Sequence, residues 1–381
     1  MHAHVVVLGA GYAGLPAARL IAERSGARTT LVNASALFVE RVRLHQVAAG
    51  QRIRQRTLAE LLAGSGVESV VDRATAIDTG RHEVALAGGG RLGYDVLVCA
   101  LGSVSVVDTV PGAAEHARPL AGAEDSALLR GELAEASSVA VVGGGLTGIE
   151  AAAELAESRP GLAVRLLTAG ELGAALSERG RRHLRRVFGR LGVDIREHAP
   201  VAEVRADGAV LRSGEHVPAD VVVWAAGFRA PDLARDAGIA VDGRGRILVD
   251  EALRSVSHPD VYAVGDAAAA RCRDGRELRM ACATGLPSAR QVARAVGDRL
   301  AGREPGPLRF RYVNQCISLG RHDALVQYVR RDDTPVELVL TGRIAALYKE
   351  TIVRGALAAQ RRPALLRLTP GGPSRRRGAR T

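Results

Sequence analysis

HVVVLGAGYAGLPAARLIAE, residues 4–23, decides the fold. Val5, Val6, Val7 and Leu8 make a short apolar run, the pattern of a parallel strand buried on both faces. Gly9-x-Gly11-x-x-Gly14 follows at once, and Ala17, Ala18, Leu20, Ile21 and Ala22 then repeat with a helical period. Strand, three-glycine turn and helix together make a phosphate-binding corner. The glycines permit the tight turn, a close backbone approach to a pyrophosphate, and tight packing of helix on strand. The free N–H groups and positive dipole end of the helix face the anion. Pro16 falls near the first helical turn, where a missing N–H costs least.

The same theme returns after roughly one domain length. Ser138 to Val142 reads as a strand, Gly143-x-Gly145-x-x-Gly148 as the turn and Ile149 to Glu157 as the helix. A repeated corner is far more specific than a single one, and it implies two nucleotide sites. Buried strands are also expected at Thr29–Val32, Tyr94–Ala100, Leu162–Leu167 and Asp220–Ala225. Gly66–Asp78 reads as a strand pair, and Glu83–Leu92 as a hairpin turning at Gly88-Gly89-Gly90. Arg179–Leu191 is a basic helix with a solvated arginine face, and Pro287 opens a helix that runs to Leu300. From Phe310 onward a small α+β piece is expected, with its strand Val336–Leu340 covered and a helix over Arg343–Gln360.

The 381 residues are 47% hydrophobic and 24% charged, the balance of a globular protein with room for two or three domains. No apolar run reaches the ~18–20 residues of a membrane span and no signal peptide fits, so a cytoplasmic protein is expected. Cys99, Cys272, Cys282 and Cys316 are scattered, with no CxxC and no ligand-like neighbours, so neither a metal site nor a redox disulfide is expected. The net charge is +11, carried almost wholly by arginine; Lys349 is the only lysine. Arg361, Arg362, Arg367, Arg375, Arg376, Arg377 and Arg380 form a basic tail. Such tails can meet anionic lipid or nucleic acid, but a solvated end is the commoner case and no nucleic-acid partner is expected.

Four landmarks stand in order: GAGYAG at Gly9, YDVLVCALGS at Tyr94, GGGLTG at Gly143 and HPDVYAVGDAA at His258. With LHQVAAG at Leu44 and WAAGFRAPDL at Trp224, this order resembles the two-dinucleotide-binding-domain flavoproteins, the pyridine nucleotide–disulfide oxidoreductase-like proteins. Within them it is similar to the type II NADH dehydrogenase and apoptosis-inducing-factor-like branch. The resemblance implies an α/β fold of two Rossmann-like domains. A discontinuous FAD domain (1–112 and 233–305) would flank an inserted NAD(P)H domain (113–232), ahead of an α+β region with the tail (306–381). Gly9, Gly11 and Gly14 would then face FAD, with Asn33 at its ribose. Ala100 and Gly102 would let the chain cross the flavin, and Gly265 and Asp266 would meet its ribityl or pyrophosphate oxygens. Gly143, Gly145 and Gly148 would hold NADH or NADPH, with Thr168 at the strand end. Further cofactor contacts are implied at Tyr12, Ala13, Arg43, Ala74, Leu146, Thr147, Gly227 and Pro287.

The resemblance implies FAD-dependent NAD(P)H:acceptor oxidoreduction onto a quinone or other small electron acceptor. Glu150 matches a family glutamate near nicotinamide and flavin, and is otherwise a helix-dipole carboxylate. His45 is either an active-site proton donor or flavin contact, or a hydrogen-bonded structural histidine. Val42, Arg43, Leu44 and His45 stand where the disulfide branches carry redox cysteine, so disulfide chemistry is disfavoured. The family's quinone-contacting AQxAxQ reads Ala289–Arg294 here, with Arg290 and Arg294 in place of both glutamines; this favours an anionic or more polar acceptor. Thr168 replaces the acidic residue usual in NADH-preferring members, and Arg181 or Arg182 would be the candidates to reach a 2′-phosphate; NADH and NADPH both stay open. A tailoring oxidoreductase of a specialised pathway and a nucleotide-bound interaction protein with slow turnover are the alternatives. The apolar stripe Ile344, Leu347, Ile352 and Leu357 suits a homodimer or domain contact, or peripheral membrane contact.

Overall fold

The computed structural model describes residues 3–272 and 275–362, and in it the two glycine corners occupy the same place in two separate sheets. Roughly the first hundred residues form β1 (His4–Leu8), α1 (Gly14–Ser25), β2 (Arg28–Asn33), α2 (Leu44–Ala48), β3 (Val67–Val71) and β4 (Val96–Cys99). Next come β5 (Ala117–Pro119), α3 (Ala123–Glu135), β6 (Ser138–Val142), α4 (Leu146–Ser158), β7 (Ala163–Leu167), α5 (Glu178–Leu191), β8 (Asp194–Arg196) and β9 (Val221–Trp224). The last part supplies β10 (Val261–Ala263), α6 (Cys282–Leu300), β11 (Asn314–Ser318), β12 (Ala324–Val329), β13 (Pro335–Thr341) and α7 (Gly342–Arg361).

One sheet runs β10-β4-β1-β2-β3 and the other β5-β9-β6-β7-β8, every pair parallel. Strands covered on both faces need unbroken apolar runs, and Val5–Leu8 and Val139–Val141 are completely buried. From β1 the chain moves out to β2 on one side, while β4 lies on the other. β6 stands in the same relation to β7 and β9. Each corner therefore sits at a topological switch point, where open parallel sheets bind ligands beyond the carboxyl ends of their strands. The repeat extends to single hydrogen bonds. Gly9 N donates to Val32 O and Ala100 N to Leu8 O, each at 2.8 Å; Gly143 N donates to Leu167 O at 2.8 Å and Ala225 N to Val142 O at 2.9 Å.

The links between the sheets pair briefly, Val104–Ser105 antiparallel to Phe228–Arg229. β11, β12 and β13 form an antiparallel meander. It rests on α4 and α5 and carries α7 across its other face. The C-terminal helix is thereby brought beside the second glycine corner. No helix among the described residues is long and apolar enough to cross a membrane. The tail arginines from residue 363 onward lie outside the described residues.

Three expectations need correction, and one strand is added to those expected. Gly66–Asp78 is not a strand pair: β3 joins the parallel sheet beside β2, while Ala74–Asp78 pairs with Glu83–Leu86 in an antiparallel three-stranded sheet. The split falls at Asp72, whose N–H donates to Asn33 O and whose carboxylate accepts from Gly88 N. Pro287 does not start a helix but lies inside α6, which begins five residues earlier at Cys282. Its missing N–H leaves the Ala283 carbonyl without a helical partner. His216–Pro218 adds a strand to the Val201–Leu211 hairpin, too short to show a period. Val336–Leu340 is covered only in part: Val339 and Leu340 pack against core clusters, whereas Leu338 is 57% exposed. Of the α7 stripe, Ile344, Leu347 and Ile352 face solvent, whereas Leu357 packs on the first core.

Candidate active site

The first corner has the shape that a bound pyrophosphate requires. Gly9 turns at φ +99°, and a Cβ there would lie 2.5 Å from the Ala100 carbonyl oxygen. A Cβ on Gly14 would run into Gly9 O, so these two glycines let α1 and β4 close on β1. Gly11 differs: a Cβ there would meet nothing within 4 Å. The space above its backbone is open, as a phosphate cradle needs. Asn33 Oδ1 accepts from Ala10 N at 2.9 Å and its Nδ2 donates to Ser35 O at 2.8 Å, so the side chain pins the corner and keeps one amide hydrogen. Ala74 follows close behind Asp72, whose N–H is bonded to Asn33 O.

The carboxyl ends of β4 and β10 come in beside this corner. Gly102 and Gly265 turn at φ +72° and +62°, and a Cβ on Gly265 would sit 3.1 Å from Ala13 Cβ. Ser103 Oγ donates to Asp266 Oδ2 at 2.8 Å, and Arg41 donates to Ser103 O at 2.8 Å. Tyr12 is buried edge-on to Phe38, and its hydroxyl has no partner among the described residues. Arg43 is held inside the protein, 2.7 Å from Glu350 on α7 and 3.3 Å from Glu40. It serves as a tie between α2 and α7.

The second corner repeats the first. Gly143 turns at φ +125° with a Cβ position 2.7 Å from Ala225 O; Gly148 abuts Gly143 O; Gly145 opens onto free space. Leu146 and Thr147 begin α4. Thr168 is buried with its side chain against the Gly144 backbone. Gly227 turns at φ +78° at the sheet crossing, against Val106. Arg181 is paired with Glu178 and Glu171, and Arg182 with Glu178. The arginine face of α5 is thus a set of ion pairs, which also take in Arg185 with Glu197 and Arg190 with Asp323.

Between the corners lies a cluster of buried charge. Glu150, in the second turn of α4, accepts at Oε1 from Lys349 Nζ at 2.7 Å and from Ser318 N at 2.9 Å. Lys349 Nζ also donates to Cys316 O at 2.9 Å. Burial pushes the Glu150 carboxyl up, but the Lys349 ammonium, His45 and the Ser318 amide outweigh it and hold it below its ordinary value. Burial pulls Lys349 down, and Glu150 more than restores it. Cys282, at the start of α6, lies within electrostatic reach of Lys349, Glu150 and Asp266. The two glycine corners therefore converge on this cluster.

His45 sits beside it. Burial lowers its imidazole to about 4. The ring is therefore neutral at neutral pH, which modifies its expected role as a donor. Its Nε2 lies 4.0 Å from Glu154 Oε2, and neither atom has a hydrogen-bond partner among the described residues. Orphaned buried polar groups of this kind cost ~1–3 kcal/mol each. Burial pushes the Glu154 carboxyl up to about 7, with Glu157 and Glu150 adding to the rise and Arg321 and Gln51 opposing it. Arg294, on α6, has Arg24, Arg309 and Asp298 as its charged neighbours.

Sequence reasoning found Glu150 and His45 but passed over Lys349, Ser318 and Glu154. Lys349 had a signal: a single lysine in a chain of 52 basic residues, on an expected helix. Glu154 had one too, as a carboxylate in a helix that is otherwise apolar around it. No disulfide joins any of the four cysteines. No metal-ligating group of three or more His, Cys, Asp or Glu occurs among the described residues.

Two parallel sheets, each with a glycine corner at its switch point, and a shared buried cluster define a dinucleotide-dependent oxidoreductase with two nucleotide sites. The chain belongs to the pyridine nucleotide-disulphide oxidoreductase family, whose model matches residues 3–297. With membership come FAD and NAD(P)H as its cofactors. The open space at Gly11 and Gly145 and the orphaned Tyr12 hydroxyl fit them. An NADH dehydrogenase-like protein of Mycobacterium tuberculosis is 32% identical over 351 residues, covering 84% of this chain and 86% of its own. A type II NADH:quinone oxidoreductase of Staphylococcus haemolyticus is 27% identical over 386 residues, covering 91% and 93%. In fold, the chain matches NDH2 from Plasmodium falciparum in complex with NADH, with a TM-score of 0.81 over 98% of this chain and 99% of that one, at 13% identity.

Proposed function

We propose that this chain oxidises NADH and reduces a quinone, with the first corner (1–112 and 233–305) holding FAD and the second (113–232) the nucleotide. FAD, when bound, takes a hydride from the nicotinamide and passes two electrons to the acceptor. The protein contributes orientation, water exclusion and charge. The backbone at Gly11 and Gly145 receives the two pyrophosphates. Asn33 and Asp266 offer hydrogen-bond partners to hydroxyls at the first site. The Glu150–Lys349 pair carries the reading. A carboxylate and an ammonium, both part-buried at the meeting point of the corners, supply an acceptor and a donor for a two-oxygen substrate. Two relatives, the staphylococcal enzyme and a demethylphylloquinone reductase of Synechocystis, are named for quinone chemistry.

Anaerobic mixing tests this. The yellow protein should bleach with NADH, and a water-soluble quinone should restore the colour in stoichiometric amount. Bleaching without reoxidation by any quinone would leave the tailoring-enzyme alternative in its place. NADH should exceed NADPH by at least about tenfold in kcat/KM, equivalent to ~1.4 kcal/mol. Arg181, Arg182 and Arg185 are already paired with Glu171, Glu178 and Glu197, so none of the three is left over to receive a 2′-phosphate. Equal values for the two nucleotides would refute that preference.

A further inference from the structure

Reduction of a quinone by NADH consumes one proton beyond the hydride: NADH + H⁺ + quinone gives NAD⁺ + quinol. That proton comes from water, and Glu150 and Lys349 offer little of their side chains to it, 13% and 18%. We propose that Glu154, with His45 and the surface pair Glu157–His322, carries protons from solvent to the Glu150 end of the acceptor site. This rests on the quinone reading above.

The geometry is that of one helix face. Glu150, Glu154 and Glu157 are spaced i, i+4 and i+7 along α4, so their side chains follow one another down one side. The middle of the row is the most enclosed, and the Glu150 side chain is 13% exposed. Glu154 is fully buried, whereas Glu157 has a 19% exposed side chain and pairs at 3.3 Å with His322, which is 73% exposed. Glu157 also accepts from Arg321 N. In the middle of the row, the partnerless Glu154 Oε2 and His45 Nε2 face each other. Of the two Glu154 oxygens only Oε1 has a partner among the described residues, the Gln51 amide.

The charged and titratable groups around Glu154 are Glu150 and Glu157 on its own helix, His45 on α2 and Arg321 in the turn after β11. Around His45 they are Glu150, Lys349, Arg321 and Arg43, with Glu154 opposite. A carboxyl raised to about 7 is populated in both forms at neutral pH. A neutral imidazole receives a proton on one ring nitrogen and releases one from the other without storing charge. In the transfer, the O–H bond at Glu154 Oε2 breaks as an N–H bond forms at His45 Nε2. The proton on the second ring nitrogen then leaves toward Glu150 and the acceptor. Glu154 is recharged from Glu157 and His322 through water. No electrons move along this row.

The test uses the flavin-loaded full chain, wild type and Glu154→Gln. Bleaching by NADH and turnover with ferricyanide, which takes electrons without protons, should change less than about twofold. Turnover with a water-soluble quinone should fall at least about tenfold, and the inflection near pH 7 should vanish from its pH profile. His322→Gln should lose a smaller share and recover it on addition of imidazole buffer, a response that a structural defect does not show. In flavin-free protein, a protonated-carboxyl infrared band should titrate near pH 7 and be missing from Glu154→Gln. Unchanged quinone turnover and pH profile in Glu154→Gln would overturn the path, as would absence of the infrared band. Wild-type protein that reduces ferricyanide but no quinone would instead fault the quinone reading, and the infrared titration still decides whether Glu154 holds the proton.

Discussion

Lys349→Met should be the most damaging single substitution at the cluster, with a loss of about 3–5 kcal/mol in stability and a collapse of quinone turnover. Removing one partner of a buried ion pair leaves the other charge uncompensated, which accounts for that magnitude. Here the stranded group is Glu150, whose side chain is 13% exposed and keeps only the Ser318 amide as a hydrogen-bond partner. The pH dependence has a definite sign. In wild type, the depressed Glu150 contributes stability present above its ordinary 4.5 and lost as pH falls through its folded value. The raised Lys349 contributes stability present below its ordinary 10.5 and lost as pH rises through its folded value. The pair therefore holds across the whole neutral range. In Lys349→Met, burial acts on Glu150 without its main opponent, and its carboxyl rises above 4.5. The deficit against wild type should then be small near pH 4, grow as pH rises and level off once Glu150 is forced to ionise. Thermal midpoints of the flavin-free proteins across pH 4–8 check this; a deficit independent of pH would refute it. Glu150→Gln combined with Lys349→Met should recover most of the stability and none of the quinone turnover, because neutral groups of similar shape replace a buried pair at little cost.

This pair also shows why the sequence was legible in one place and opaque in another. A glycine corner is a local steric statement: strand, turn and helix lie within about 20 residues, and both corners were read with the correct strands around them. Glu150 and Lys349 lie 199 residues apart, and only the meander β11–β13 brings α7 onto α4. No periodicity encodes that contact. The same holds for β3 and the strand at Ala74–Asp78, adjacent in sequence but paired in different sheets, since β pairing is chosen by partners that a window cannot see. At Pro287 a good local rule failed: proline favours the first helical turn, yet α6 runs through it while packed against α1. At Thr168 the strand end was located correctly, but its burial against Gly144 is a tertiary fact.

The glycines themselves yield the other large prediction, because the three positions in each corner do different work. Gly14→Ala and Gly148→Ala should misfold or fail to accumulate, since each new methyl is driven into a rigid backbone carbonyl, Gly9 O or Gly143 O. Gly11→Ala and Gly145→Ala should fold. Their methyl groups enter open space, and Gly145, the N-cap of α4, already has an extended backbone that alanine adopts, so the stability cost stays within about 1 kcal/mol. What the methyl removes is the close approach of backbone N–H to a pyrophosphate, and the two variants should lose different ligands. Gly11→Ala should emerge folded but colourless, or release its flavin on dilution. Gly145→Ala should emerge yellow and bleach normally with dithionite, yet need at least about thirtyfold more NADH, equivalent to ~2 kcal/mol. Circular dichroism, visible absorbance and nucleotide titration separate these outcomes. A colourless Gly145→Ala, or a yellow Gly11→Ala blind to NADH, would reverse the assignment of the two corners. Equal loss of both ligands in either variant would mean that the corners do not act as separate cradles.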